Sequence, residues 1–303
     1  MHQAWSGWYP SLEALEKGIE TARTHPVGTA NGAITSHGSV VGSAVVADEE
    51  WVVSAAHVLA SELQQPGKQV LPTRYSFRYS DGKGVRSHPF TESYCFPEQD
   101  LVFLRTDISF SKKDIAPVLP PDLYHELASS YKVLGANVPQ ANAGCPVTFF
   151  GCGHKIVATY LDGKTKEEVE AVQLYSSPVN RFAIGHNFGE KAVGRCFLSQ
   201  YFPQNPAWKE NAPEAFYSWT SYKGPSSVPL LSSALPGDSG GGMFVEKDGS
   251  FYLAGITSKT HVGFNWDKGG AEEKRVGTAF ASLYSSLGQS SESYLDKVLA
   301  SVS

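Results

Sequence analysis

The stretch SVVGSAVVADEEWVVSAAHVL, from Ser39 to Leu59, restricts the fold more than any other part of the chain. Val40, Val41, Val45 and Val46 are stiff at χ1 and favour a pleated backbone, and ADEE is a turn, so the stretch reads as strand, turn, strand. The same texture recurs. TRYSFRY alternates and runs into the hairpin signal SDGKG. DLVFLRTD and CPVTFFGCG are short apolar runs, and EAVQLYSSPV alternates. GGMFVEKDGSFYLAGITS reads as two strands around Asp248 and Gly249, and RVGTAFASL as one more. The segment from Asp162 to Lys223 carries aromatics and prolines and reads as loops with one or two strands. Two stretches have helical spacing instead. SLEALEKGIETART places Leu12, Leu15, Ile19 and Ala22 on one face and stops at His25-Pro26. SESYLDKVLASV closes the chain, with Ser291 as cap and Glu292 behind it.

The chain has 303 residues, of which 41% are hydrophobic and only 18% charged. That suffices for one large or two small cores, and with many glycines and aromatics it favours an all-β protein. The net charge of -5 and the lack of a Lys/Arg cluster exclude an evident nucleic-acid footprint; Lys112, Lys113, Lys164 and Lys166 read as solvated loops. No apolar run is long enough for a helical membrane span. MHQAWSGWYP lacks the basic-then-apolar pattern of a secretory leader, so the compartment stays open: cytoplasmic, or secreted or periplasmic with a leader removed. Oligomeric state is equally open. Cys95, Cys145, Cys152 and Cys196 are scattered, unlike a disulfide scaffold, although one or two bridges are compatible with the sequence. A zinc site would have to combine Cys152 and His154 with His186 or Cys196, without the paired spacing such sites use.

LPGDSGGGMF gives up side chains around one hydroxyl. Glycine costs backbone entropy, so the cluster fits either a close approach to a ligand or amides aimed at one spot. Both make Ser239 a candidate nucleophile; a plain Gly-rich turn is the alternative. A serine needs a base, and the base needs an orienting partner. His57 ends the buried run WVVSAAHV, where it can face a cleft or serve as a core histidine. Asp100 opens DLVFL, as a buried carboxylate needing partners or as a turn residue.

Together, SAAHV, DLVFL and GDSGG, in the order His, Asp, Ser, resemble the chymotrypsin/trypsin-like serine proteases, and the likeness extends from about Val41 to Leu287. FFGCG resembles the strand ending in a Gly-x-Gly turn, LAGITSKT the substrate-binding strand, and GTAF the strand behind the pocket. The resemblance implies two six-stranded antiparallel β-barrels, an N-terminal helical extension (1–26) and a peptidase domain (27–303). Within that domain it implies a first barrel over about 27–130, a second over about 131–287 and a C-terminal helix over about 289–302. It implies Ser239 as nucleophile, His57 as general base and acid, Asp100 as its orienting partner, and the N–H groups of Gly237 and Ser239 as oxyanion hole. Ser233, Ser258, Lys259, Thr260 and Gly277 would line the substrate site. A protein or peptide would be the substrate, with no metal or other cofactor. Ser233 stands where trypsins place an acid, so a neutral, medium-sized side chain is expected before the cut. Val41 with Val58, and Val147 with Val245, stand where secreted members carry disulfides, and Leu235 replaces a further half-cystine. Trypsin-like members also pair a freshly cut Ile-Val-Gly-Gly terminus with the aspartate that Asp238 matches. PVGT at Pro26 is the nearest counterpart here, so an enzyme active with its extension attached is expected.

Two competing functions remain. GDSGG also fits G-x-S-x-G, the elbow of α/β-hydrolase esterases, but that fold requires the order Ser, Asp, His, and His261 is the sole histidine after Ser239. An inactive protease-like binding module is the other; such relatives usually lose a triad member.

Overall fold

The structure is a computed structural model and describes residues 5–9, 12–80, 84–131, 144–157, 191–202, 214–222, 237–267, 274–287 and 293–302. Among them are fifteen strands: β1 (Trp5–Tyr9), β2 (Asn31–Ser36), β3 (Ser39–Val46), β4 (Trp51–Ala55), β5 (Gly67–Val70), β6 (Tyr75–Ser80), β7 (Val85–Phe96), β8 (Leu101–Thr106), β9 (Cys145–Gly151), β10 (His154–Val157), β11 (Ala192–Phe202), β12 (Ala215–Tyr222), β13 (Gly242–Lys247), β14 (Ser250–Asp267) and β15 (Lys274–Ser286). The helices are α1 (Leu12–Thr24), α2 (Pro121–Tyr131) and α3 (Tyr294–Val302). No helix among the described residues is long and apolar enough to cross a membrane.

The strands form two large antiparallel sheets. One is a closed six-stranded barrel, β11-β12-β15-β14-β13-β9. The other is a seven-stranded sheet in the order β5-β7-β6-β2-β3-β4-β8, curled far enough that β7 also pairs with β8. Turn chemistry sets the hairpins. Asp248 (φ 52°) and Gly249 (φ 76°) take the two left-handed positions between β13 and β14, the arrangement that matches the twist of the flanking strands. Every residue of β4 is buried, because both of its faces are covered. One core cluster lies within the seven-stranded sheet and reaches Phe150, Phe244, Leu253 and Ile256 of the barrel. A second lies within the barrel and runs under α2 through Leu127, Phe149, Phe216 and Tyr284.

The helix expected over Ser11–Thr24 is α1, Leu12–Thr24, which buries Leu15 and Ile19 against Ala192 of β11 and Ala22 in the main core. The first residues are more than a helical appendage, since β1 pairs in parallel with β10. The C-terminal helix, expected over about 289–302, is described as Tyr294–Val302, and residues 289–292 lie outside the described residues. Its cap is Ser293: the Asp296 N–H donates to Ser293 Oγ at 3.1 Å while the Ser293 N–H donates to Asp296 Oδ2 at 3.3 Å, a reciprocal capping pair; the expected cap, Ser291, lies outside the described residues. The alternation in EAVQLYSSPV lies outside the described residues. The expectation of one or two strands within Asp162–Lys223 is met by β11 and β12. None of the four cysteines forms a disulfide. Val147 and Val245 face each other across the β9–β13 ladder, so packing fills one position where a disulfide was at issue.

The link from α1 to β2 is packed rather than draped. His25 lies edge-on to Phe150 and Phe251, and its Nδ1 accepts the Val27 N–H at 3.4 Å. Burial, with help from Arg195, lowers its pKa from 6.5 to about 4, so the ring is neutral in the fold at pH 7. An unfolded chain binds this proton more readily, so the contribution of His25 is complete above pH 6.5 and is lost as pH falls towards 4. His25→Gln, which keeps an acceptor but does not titrate, is expected to show a shallower loss of melting temperature over that window. Identical slopes in thermal melts of the two proteins would contradict this account.

Candidate active site

Strand register brings the first two residues together. In the antiparallel β4–β8 pair Ala55 faces Leu101, so the chain leaving β4 meets the chain entering β8. His57 sits in a single 3-10 turn, Ala56–Val58, immediately after β4. Asp100 caps the turn Pro97–Gln99 just before β8, in the left-handed region at φ 52°. Asp is one of the few non-glycine residues that tolerate that conformation. The ladder continues one step further, with the Ala56 N–H donating to the Asp100 carbonyl at 3.0 Å.

Asp100 is 2% exposed, and a carboxylate so deeply buried must be compensated by hydrogen bonds. The His57 backbone N–H donates to Oδ1 at 2.9 Å, and His57 Nδ1 lies 2.7 Å from Oδ2. Ser258 Oγ donates to the same Oδ2 at 2.5 Å. The β14–β15 ladder slips between Thr257 and Lys259, leaving Ser258 as the extra residue of a bulge. Such bulges re-aim a side chain, and here the hydroxyl turns to Asp100. Ser258 is also one of the residues expected along the substrate strand, and its side chain bonds the carboxylate.

Ser239 comes from the barrel. The turn Gly237–Gly241 precedes β13, and two bonds hold it to β14: Gly240 N–H to the Thr257 carbonyl at 2.8 Å and Thr257 N–H to the Gly241 carbonyl at 2.9 Å. Its hydroxyl lies 2.7 Å from His57 Nε2. With Nδ1 protonated towards Asp100, Nε2 is the acceptor for the serine proton. Ser239 is 8% exposed, whereas the His57 side chain is 41% exposed, so the relay is open to solvent at the imidazole.

The glycines have separate reasons. Gly237 (φ 106°) and Gly240 (φ 89°) occupy backbone conformations that side chains disfavour. A Cβ at Gly240 would overlap the Ser43 carbonyl oxygen and Ser54 Oγ, and one at Gly241 would overlap the Phe150 carbonyl oxygen. Asp238 is fully buried, and its carboxylate lies against Gly151 so closely that no Cβ fits there.

Two contributors carry no sequence signal. Ser43 Oγ donates to the Gly237 carbonyl at 3.3 Å, and the Ser43 N–H donates to the Ser239 carbonyl at 2.8 Å. Gln99 is fully buried and donates to the carbonyls of Glu214 at 2.8 Å and Ser286 at 3.1 Å, joining the segment that holds Asp100 to the barrel. Ser43 is a single polar residue within an apolar run and Gln99 lies between Glu98 and Asp100, and only the fold gives the two their partners.

Of the remaining expected residues, Lys259, Thr260 and Gly277 lie on the β14–β15 hairpin, with Lys259 paired to Leu283 and Gly277 to Asn265. Ser233 and Leu235 lie outside the described residues. The thiols are poor nucleophiles. Burial, reinforced by Asp100 and Glu98, pushes Cys95 up to about 12, and burial pushes Cys196 up to about 11. Among the described residues no group of three His, Cys, Asp or Glu could hold a metal, and His186 lies outside them. A cavity of about 220 Å³ sits elsewhere, between α2 and β13, lined in part by Leu123, Leu127, Tyr131 and Cys145; none of the three relay residues lines it.

Searches against protein-family models and against curated proteins find no match to this chain. Any reading of the site therefore rests on its geometry.

Gly240→Ala is expected to cost about 2–4 kcal/mol, from a strained backbone conformation plus overpacking at Ser43 and Ser54. Urea unfolding checks this; a loss within about 0.5 kcal/mol, the range of an ordinary surface change, would contradict it.

Proposed function

We propose that the protein is a serine endopeptidase that works through an acyl-enzyme, with a fold of the chymotrypsin/trypsin-like kind. One observation carries the reading: Asp100, His57 and Ser239 form an unbroken relay, with 2.7 Å at each side-chain link. Support for the fold comes from the seven-stranded sheet. β6, β2, β3, β4, β8 and β7 pair in sequence and β7 pairs back to β6, a pattern that supports a second six-stranded barrel with β5 set aside. The residues of the relay come from both sides of the junction. Antiparallel sheets and the order His, Asp, Ser count against an α/β-hydrolase esterase.

In this reading the Ser239 oxygen bonds to the scissile carbonyl carbon as its proton passes to His57 Nε2. The C–N bond then breaks, and the same proton leaves with the amine. Water repeats the cycle: it gives its proton to His57 and its oxygen to the acyl carbon, and Ser239 regains its hydrogen. Asp100 fixes the Nδ1–H tautomer and stabilises the imidazolium. The N–H groups of Gly237 and Ser239 receive the oxyanion, a contribution of about 3–4 kcal/mol per donor where such donors have been removed. Lys259, Thr260 and Gly277 contribute to the substrate site, with Ser233 at its base and a neutral residue before the cut.

The enzyme acts with its N-terminal extension attached. The relay is assembled while α1 is continuous with β2. Val27 is buried, its carbonyl accepts from Asn31 Nδ2 at 2.8 Å, and the Lys191 ammonium donates to the Gly28 and Asn31 carbonyls. A cut after Arg23 is not needed to complete the relay.

Profiling against an unbiased peptide library tests the reading. Cleavage by wild type is expected, with turnover reduced by a factor of about 10⁴–10⁶ in His57→Ala; the variant is expected to stay folded by circular dichroism with a lowered melting temperature, because buried Asp100 loses one of its partners. Normal turnover in the variant would overturn the assignment.

A further inference from the structure

We infer that Ser43 is a positioning residue for the oxyanion turn, a role that rests on the reading of Ser239 as nucleophile. Ser43 lies on β3, in the opposite sheet from the turn, and is 1% exposed. Every polar group it has is engaged. Its N–H donates to the Ser239 carbonyl at 2.8 Å, and its carbonyl accepts Ser54 Oγ at 2.8 Å. Its Oγ donates to the Gly237 carbonyl at 3.3 Å and accepts the Cys152 N–H at 3.0 Å.

The arrangement has a consequence for catalysis. A peptide unit is planar, so fixing its carbonyl fixes the direction of the N–H at its other end. Ser43 thus orients the units Gly237–Asp238 and Ser239–Gly240, which flank the unit that carries the Ser239 N–H; the carbonyl of that middle unit, Asp238's, accepts the Gly241 N–H at 2.8 Å. Gly237 is a glycine at φ 106°, with no Cβ to limit its rotation. The hydroxyl of Ser43 restrains it in place of a side chain. The Cys152 N–H in turn fixes that hydroxyl, since it occupies an Oγ lone pair and leaves the proton for Gly237. Backbone contacts alone would hold Ser239 but leave the Gly237 carbonyl without this tether.

The test compares wild type, Ser43→Ala and Ser54→Ala. Ser54→Ala removes a bond on the opposite side of Ser43 and serves as the control for general loosening. For Ser43→Ala, kcat on a cleaved peptide is expected to fall about 10–100-fold, less than the 10²–10³ seen when a donor itself is removed, with KM within about threefold. Affinity for a peptide boronic acid, whose tetrahedral adduct places an oxygen in the oxyanion position, should fall by a similar factor. Ser54→Ala should lower the melting temperature comparably while leaving both readouts within about threefold. If Ser43→Ala does not fold, Ser43→Cys, close in size but a weak donor, provides the same comparison. Unchanged kcat and boronate affinity in the folded variant, or equal losses in the Ser54 control, would overturn the role of Ser43. Absence of turnover and of boronate binding in wild type would instead overturn the reading on which it rests.

Discussion

A carboxylate removed from water organises the junction of the two sheets. Asp100 has almost no exposure, so its oxygens must be satisfied by neighbours, and a buried charge that loses a partner is costly. The neighbours come from different parts of the chain: the backbone and ring of His57 after β4, and Ser258 from the bulge of β14. Gln99 fastens the preceding residue to the barrel through two carbonyls. The sheets are thus joined by directional polar bonds beside a shared apolar cluster. The residue that orients the imidazole also helps to set how the halves meet.

A consequence is that the site does not depend on oxidation. None of the cysteines forms a disulfide, and burial raises the Cys95, Cys145 and Cys196 thiols above their usual range. Val147 faces Val245 where a covalent bridge was at issue, and Val58 packs on Gly42, whose missing Cβ leaves room for it. Packing holds the strands, and hydrogen bonds hold the turn. Ser43 sits at the intersection, bonded to β4, to the residue after β9 and to the Gly237–Gly241 turn.

The residues of the relay were legible because each sits in a run with its own signal: apolar strands leading into His57 and out of Asp100, and glycines around Ser239. Their convergence was not, because it depends on register, and Ala55 opposite Leu101 is a pairing no single run encodes. Hairpins were legible where turn chemistry is specific, as at Asp248-Gly249. Helix α2 was missed although Pro121 at its first turn and Leu123, Tyr124, Leu127 and Ala128 on one face were available signals. Ser293 was passed over as the C-terminal cap because Ser291 and Ser293 are equivalent locally, and only Ser293 has an acid three residues on. Ser43 and Gln99 were invisible because a polar side chain, alone in an apolar run like Ser43 or between two acids like Gln99, acquires meaning only from what lies across the interface. The bond from Ser258 to Asp100 was not legible, because strand alternation does not foresee a bulge.

The central claim is that one hydroxyl among many is activated by the imidazole beside it. Incubation of the purified chain with a fluorophosphonate, followed by intact mass and peptide mapping, tests this directly. The account predicts one adduct, on Ser239, formed on wild type and lost when Asp100 is changed to Asn, which leaves the shape but alters the tautomer of the histidine. A folded wild-type protein that takes up no label, or a label spread over several serines and indifferent to Asp100, would contradict it.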